Sequence, residues 1–210
     1  MTKKIVFDLD NTLLFLSDEW EENYKRFIDK YNLNISAKDL FLCIGSFEKD
    51  LKNIIVSIQK LSEYVSNNLS IDFTNDMILE LSETYDNTSL LNTDTIYDVL
   101  NYLSEKYELI AYTNWFTDDQ IKRLRKYDLD KFFTKVYGWD ILPKKPSKEA
   151  LIEIIKNDDK ENYIFVGDSI ELDLEIPDDM GIDTIFYNRK NIKQNKYKEI
   201  FKIEELKNIL

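Results

Sequence analysis

Four aspartates and a lysine carry the types and spacing that could do chemistry. Asp8 and Asp10 lie in Asp8-Leu9-Asp10-Asn11-Thr12, at the end of an apolar run. On a strand, residues two apart project to the same face, so two carboxylates would converge at the strand's end. Like charges that close demand a cation. Without a metal, one carboxylate would keep its proton and lose nucleophilicity. Oxygen-only donors suit Mg²⁺ better than softer metals. A turn closing a strand would use the same residue types, since Asp and Asn are common there.

Three further stretches extend the pattern. Thr113-Asn114 follows Leu109-Ile110-Ala111-Tyr112, and a hydroxyl and an amide at a strand end can bind phosphoryl oxygens. Lys144-Lys145-Pro146-Ser147 precedes a helical pattern. A lysine there can neutralise charge gathering on a transferred phosphoryl group. Lys145 is preferred because it directly precedes Pro146. Gly167-Asp168-Ser169-Ile170-Glu171-Leu172-Asp173 closes another apolar run. Glycine permits a tight backbone turn. Asp168 would complete the metal site, and Asp173 could orient a metal-bound water or Lys145 from the outer shell. Each stretch alone also reads as turn or cap chemistry. Their order, each at a strand end or helix start, favours one shared site.

The elements that must position them follow from periodicity. Apolar runs at 4–9, 108–113, 135–139, 163–166 and 183–187 read as strands. Helical patterns alternate with them. Thr93 is expected to cap a helix through Leu103, and Thr117 and Gln120 to form a capping box for a helix to Tyr127. Ser147 starts another, and a last helix closes the chain at 203–210. Such alternation predicts a parallel sheet with helices on both faces, binding ligands at the carboxyl ends of its strands. Between Asp18 and about Thr88 no strand is expected. Three helices are: one carrying Trp20 to Tyr31 with Ser17 as cap, one from Leu51 to Val65, and one capped by Thr74. This block interrupts the order after the first strand, so it should sit above the same sheet edge.

Composition narrows the function classes. The 210 residues suffice for a core of ordinary size carrying a smaller inserted domain. A net charge of -12, with no basic run, argues against nucleic acid as a partner. With no histidine, Ser-His-Asp and Cys-His catalysis and His-ligated zinc are excluded. The lone Cys43 reads as a small buried apolar side chain. Asp8 and Asp10 interrupt the first apolar stretch, which argues against a leader or membrane span there. A cytoplasmic protein is expected.

The motifs resemble those of the haloacid dehalogenase-like hydrolase superfamily: Asp8-Leu9-Asp10-Asn11-Thr12, Thr113-Asn114, Lys145-Pro146, and Gly167-Asp168-Ser169 with Asp173. The resemblance implies a Rossmann-like α/β core over 1–14 and 91–210, and an inserted helical cap domain over 15–90. It implies Asp8 as nucleophile and Asp10 as acid–base residue. Thr113 and the Asn114 backbone would bind the phosphoryl group, with Lys145 neutralising charge. Mg²⁺ would be held by Asp8, the Asp10 carbonyl oxygen and Asp168. Many members have Gly where Asn11 stands, and Ala where Pro177 stands. The superfamily's dehalogenases lack the second aspartate of the first motif, so Asp10 points to phosphoryl chemistry.

The function so implied is a Mg²⁺-dependent phosphohydrolase acting on a small phosphorylated metabolite through an aspartyl phosphate. A sugar phosphomutase would form the same intermediate, and a binding protein could retain the fold without activity. In the cap, Arg26, Lys49 and Lys52 are candidate anion contacts or surface charges, and Trp115 either borders the pocket or packs.

Overall fold

The computed structural model describes residues 2–210. Six parallel strands form the sheet: β1 (Lys4–Phe7), β4 (Glu108–Tyr112), β5 (Phe133–Tyr137), β6 (Tyr163–Gly167), β7 (Asp183–Tyr187) and β8 (Lys198–Ile200), in the order β5-β4-β1-β6-β7-β8. The expected α/β class holds. Side chains alternate across the sheet as the pleat requires. Ile5, Phe7, Leu109, Ala111, Ile164 and Val166 face one core, built with α5 (Thr93–Ser104), α6 (Thr117–Lys126) and α9 (Leu206–Ile209). Val6, Ile110, Tyr112 and Phe165 face the other, covered by α7 (Lys148–Ile155). A short α8 (Glu175–Asp179) holds Pro177 in its first turn, where a missing N–H costs little.

Four helices, not three, lie between residues 17 and 89: α1 (Trp20–Lys30), α2 (Ala37–Lys49), α3 (Ile58–Leu69) and α4 (Asn75–Asn87). Leu40, Cys43, Ile44 and Phe47 give α2 a buried stripe that the sequence reading passed over. The block enters and leaves through a two-strand antiparallel ribbon, β2 (Phe15–Leu16) with β3 (Leu90–Leu91). Its own core contains Phe27, Leu40, Phe47, Leu61, Ile78 and Leu81, and takes in Trp115 and Trp139 from the sheet side.

Several expected boundaries shift. Residues 51–57 are not helical, because Ser57 caps α3, and Leu51 (φ 47°) and Asn53 (φ 59°) adopt left-handed backbone. Instead this segment docks on the sheet side: Lys144 N donates to Ile54 O (2.8 Å) and Val56 N to Trp139 O (2.7 Å). Ser17 does not cap α1; its hydroxyl donates to Glu19, and Glu19 occupies the cap position without a side-chain bond. Thr93 is the first helical residue rather than the cap, which is Asn92. The strand expected at 135–139 begins and ends earlier, and Trp139 lies in the following turn. The C-terminal helix is one 3₁₀ turn followed by α9. Among the described residues, no helix is long and apolar enough to cross a membrane.

Ser36 caps α2 reciprocally with Asp39: Asp39 N donates to Ser36 Oγ, and Ser36 N to Asp39 Oδ2, both at 3.1 Å. Ser36→Ala should therefore lower unfolding free energy by about 1 kcal/mol in urea titration. An unchanged midpoint would show that α2 does not depend on this box.

Candidate active site

Parallel strands β1, β4 and β6 end at one edge, and their next residues are Asp8, Thr113 and Asp168. Asp8 N donates to Val166 O (2.9 Å), which fixes the first of these beside the third strand. The chain then reverses at Asn11, whose φ of 68° suits Asn or Gly and few other residues. The reversal lets Thr12 Oγ1 donate to Asp8 Oδ2 at 2.8 Å.

Lys145 Nζ donates to Asp8 Oδ1 (2.5 Å) and to Asp173 Oδ1 (2.7 Å). Asp173 Oδ2 accepts from Ser169 N at 3.0 Å. A Cβ on Gly167 would collide with the Asp173 carboxyl, so glycine is needed there for close approach. Asn114 anchors the lysine segment: Lys145 N donates to Asn114 Oδ1 (2.7 Å), and Asn114 Nδ2 to Lys145 O (3.2 Å). The side chain of Asn114 is thus structural. The Lys145–Pro146 peptide is cis. The neighbouring Lys144 turns away, its Nζ donating to the carbonyls of Phe47 (2.7 Å) and Glu48 in the last turn of α2.

Carboxylate oxygens of Asp8, Asp168 and Asp173 lie within 4.8 Å of one another. Burial pushes the Asp8 carboxyl well up; Lys145 opposes this, and Asp173 and Asp168 add to it. Burial, then Asp173, push Asp168 up to about 6. Lys145 is held above the ordinary lysine range, since Asp173 and Asp8 outweigh its burial. Lys145 is bonded to two of the three carboxyls, and the third, Asp168, feels the charges of Lys190, Lys145 and Arg189. An all-oxygen donor set of this kind fits a hard divalent cation.

Asp10 is also at this edge, but its carboxylate points elsewhere. Oδ1 accepts from Tyr85 Oη (2.6 Å) and Arg123 Nη1 (2.7 Å), and Oδ2 from Gln120 Nε2 (2.6 Å). Burial would raise this carboxyl; the Arg123 charge and the three donors outweigh it and hold Asp10 below the usual range. Gln120 also donates to Thr113 Oγ1 (3.0 Å), and Arg123 Nη1 to Gln120 Oε1 (2.8 Å). The capping box expected of Thr117 and Gln120 is therefore absent. Thr117 Oγ1 instead bridges Gly138 N and Asp140, and Gln120 turns inward to the site. The sequence reading did not assign Gln120, Arg123 or Tyr85 to the site. A polar residue at 120, on the buried α6 face between Thr117 and Leu124, was the available signal.

A cavity of about 530 Å³ opens onto these groups. Asp8, Asp10, Thr113, Asn114, Lys145, Asp168 and Asp173 all line it. The helical block contributes aromatic side chains and the carboxyl of Glu48, which burial and Asp10 push up to about 7. Trp115 borders the cavity and also packs in the block's core. Arg26, Lys49 and Lys52 do not line it: Arg26 donates to Asn23 and Lys52 pairs with Glu171. Arg189, which the sequence reading did not single out, does.

The family model for haloacid dehalogenase-like hydrolase matches residues 5–187. The chain belongs to this family. Among haloacid dehalogenase-like relatives, YfnB of Bacillus subtilis (strain 168), named as a HAD-hydrolase, is 32% identical over 126 residues, covering 56% of this chain and 53% of that protein. The pyrimidine 5'-nucleotidase PynA of Streptococcus pneumoniae (strain ATCC BAA-255 / R6) is 32% identical over 104 residues, covering 47% and 44%. The chain thus spans about half the length of these two relatives in sequence. A crystal structure of YfnB bound to magnesium superposes with a TM-score of 0.79 at 20% identity, covering 99% of this chain and 98% of that one. The 2-haloacid dehalogenase of Pseudomonas syringae pv. Tomato DC3000 follows at 0.72 and 17%, covering 100% and 98%. At these identities the likeness concerns the fold.

Two expectations arise from this geometry. The raised Asp8 and Asp168 carboxyls favour protonation in the metal-free protein. Their contribution to stability is full below the ordinary carboxyl value and, for Asp168, is lost as pH rises through about 6. Mg²⁺ requires the ionised forms, so its upward shift of Tm should be larger at pH 7.5 than at pH 5 in thermal scans. Equal shifts would contradict the cluster's role. Arg123→Met should cost on the order of 2–3 kcal/mol in urea unfolding, below the ~3–5 for a fully buried pair because Asp10 keeps 27% of its side chain exposed. A loss under 0.5 kcal/mol, roughly the surface-substitution range, would mean the pair is not holding Asp10.

Proposed function

We propose that this chain is a cytoplasmic, Mg²⁺-dependent phosphohydrolase that cleaves a small phosphorylated metabolite, with Asp8 as nucleophile and residues 15–90 as a cap over the site. The observation that carries this reading is the Lys145 ammonium clamped between Asp8 and Asp173, with Asp168 in the same oxygen cluster, at the floor of a cavity. The magnesium in the YfnB structure and the phosphorylated substrate in PynA's name support it.

Asp8 attacks the substrate phosphorus in line through a carboxylate oxygen, forming an aspartyl phosphate as the ester P–O bond breaks. Thr12 orients that carboxylate from its other oxygen. Lys145 and the Thr113 hydroxyl hold phosphoryl oxygens as negative charge spreads over them. Asp10 protonates the leaving alkoxide and then takes a proton from the water that opens the acyl phosphate. The conformation described holds the ionised, base form of Asp10. Loading its proton requires the contacts from Tyr85 and Arg123 to loosen, and Tyr85 is carried by α4 of the cap. Bound Mg²⁺, held by Asp8, Asp168 and the Asp10 carbonyl oxygen, would supply further neutralisation of the phosphoryl charge. Asp173 steadies Lys145 beneath the reacting group.

Release of inorganic phosphate from p-nitrophenyl phosphate with Mg²⁺ tests the reading. Asp8→Asn should abolish turnover, and Lys145→Met should lower kcat by about 10²–10³, as for loss of one stabilising donor. Turnover by Asp8→Asn equal to that of the unaltered protein would sink the assignment.

A further inference from the structure

Gln120 and Arg123 are buried on α6, and their polar ends meet at the carboxylate of Asp10. A guanidinium has only donors, and an ionised carboxylate has only acceptors. Between the two, a glutamine amide can lie one way round. Gln120 Oε1 accepts from Arg123 Nη1 (2.8 Å), and Nε2 then faces Asp10 Oδ2 (2.6 Å). Flipping the amide would set its oxygen against the carboxylate and its N–H groups against those of the arginine. The amide nitrogen has two hydrogens, and the second goes to Thr113 Oγ1 (3.0 Å).

That last bond decides what Thr113 can do. A hydroxyl has one proton and two lone pairs. Gln120 fills a lone pair, and the Thr113 hydroxyl donates to no other group among the described residues. Its proton is therefore left for the cavity that Thr113 lines. Asp10 is treated alike. Its Oδ1 takes donors from Tyr85 and Arg123, while Oδ2 takes Gln120 alone and keeps a lone pair for a proton. One amide nitrogen thus holds the Thr113 and Asp10 oxygens no farther apart than two hydrogen bonds laid end to end. On a phosphate ester, the oxygens these groups would meet, one non-bridging and one in the leaving group, are neighbours on a single phosphorus.

We propose that Gln120 is a positioning residue: locked by Arg123, it aims the Thr113 proton at the phosphoryl group and sets the Asp10 carboxylate at a matching distance from the leaving oxygen. This rests on the phosphohydrolase reading above and extends it to a residue that touches neither substrate nor metal. As the bond from Asp8 oxygen to phosphorus forms and the ester bond breaks, the leaving oxygen takes the Asp10 proton. The hydrogen bond from Thr113 to the phosphoryl oxygen tightens in the same step. Without the amide, the Thr113 hydroxyl is free to rotate away from the substrate, and Asp10 Oδ2 loses its one fixed donor.

The test measures first-turnover release of the phenol from p-nitrophenyl phosphate and from phenyl phosphate, by the full chain with Mg²⁺. The two esters are alike in shape, but p-nitrophenolate leaves without a proton, whereas phenolate leaves faster with one. Gln120→Met should slow p-nitrophenyl phosphate by about 10–100-fold, the cost of a misplaced contact. Phenyl phosphate should lose about tenfold more, because proton donation by Asp10 suffers as well. Gln120→Glu keeps an acceptor for Arg123 and so keeps the fold, which urea unfolding checks, but it has no N–H for Thr113 or Asp10; it should show the same losses. Adding Gln120→Met to Thr113→Val should slow p-nitrophenyl phosphate by less than about threefold further, since the amide then has no hydroxyl to aim. Full multiplication of the two losses would overturn the inference alone. So would equal losses on both esters, or Gln120→Glu matching the unaltered protein. Release of neither phenol by the unaltered protein would overturn the hydrolase reading and this one with it.

Discussion

Lys145 is shared between Asp8 and Asp173, and most of the local architecture serves that sharing. An ammonium buried this deeply is tolerable only with hydrogen-bonded carboxylates around it. The carboxylates in turn are buried at the end of a parallel sheet because β1 and β6 are neighbours in register. The backbone of Lys145 is gripped by Asn114, which follows β4 by two residues, so three sheet-edge segments converge on a single residue. The convergence of three carboxyl groups with oxygen donors is the chemical reason the same place suits a divalent ion.

Asp10 obeys a different logic two residues along. It receives donors from α4 and from α6, so the helical block and the core hold the same carboxylate. Arg123 is 1% exposed, and its Nε and Nη2 find no acceptor among the described residues. The bonds of its Nη1 to Asp10 and Gln120, and the face of Tyr85, 4.0 Å from its centre, must offset that cost. A residue so expensively placed indicates that the orientation of Asp10 matters to this fold.

Much of the core was legible because it is written locally. Short apolar runs ending in Asp, Thr or Gly-Asp mark strand ends, and strand ends share one edge in a parallel sheet. Asp8, Thr113, Lys145, Asp168 and Asp173 could thus be placed together before any coordinates. Gln120, Arg123, Tyr85, Glu48 and Arg189 could not, since their place around Asp10 or along the cavity depends on tertiary packing. The 51–57 segment misled because Leu51, Ile54 and Ile55 fit a helical period, while tertiary bonds to Lys144 and Trp139 claim the backbone. Strand β8 has three residues, too few for any alternation to show. The missed helix α2 had a readable start in Ser36 and Asp39.

Adjacent lysines facing opposite ways have a mechanical corollary. Lys144 closes the end of α2 by bonding two of its final carbonyls, and the next residue in the chain grips Asp8. One peptide bond therefore joins the lysine that closes the last turn of α2 to the lysine that holds the Asp8 carboxylate. A displacement of the final turn of α2 is passed through two adjacent lysines to the Asp8 carboxylate.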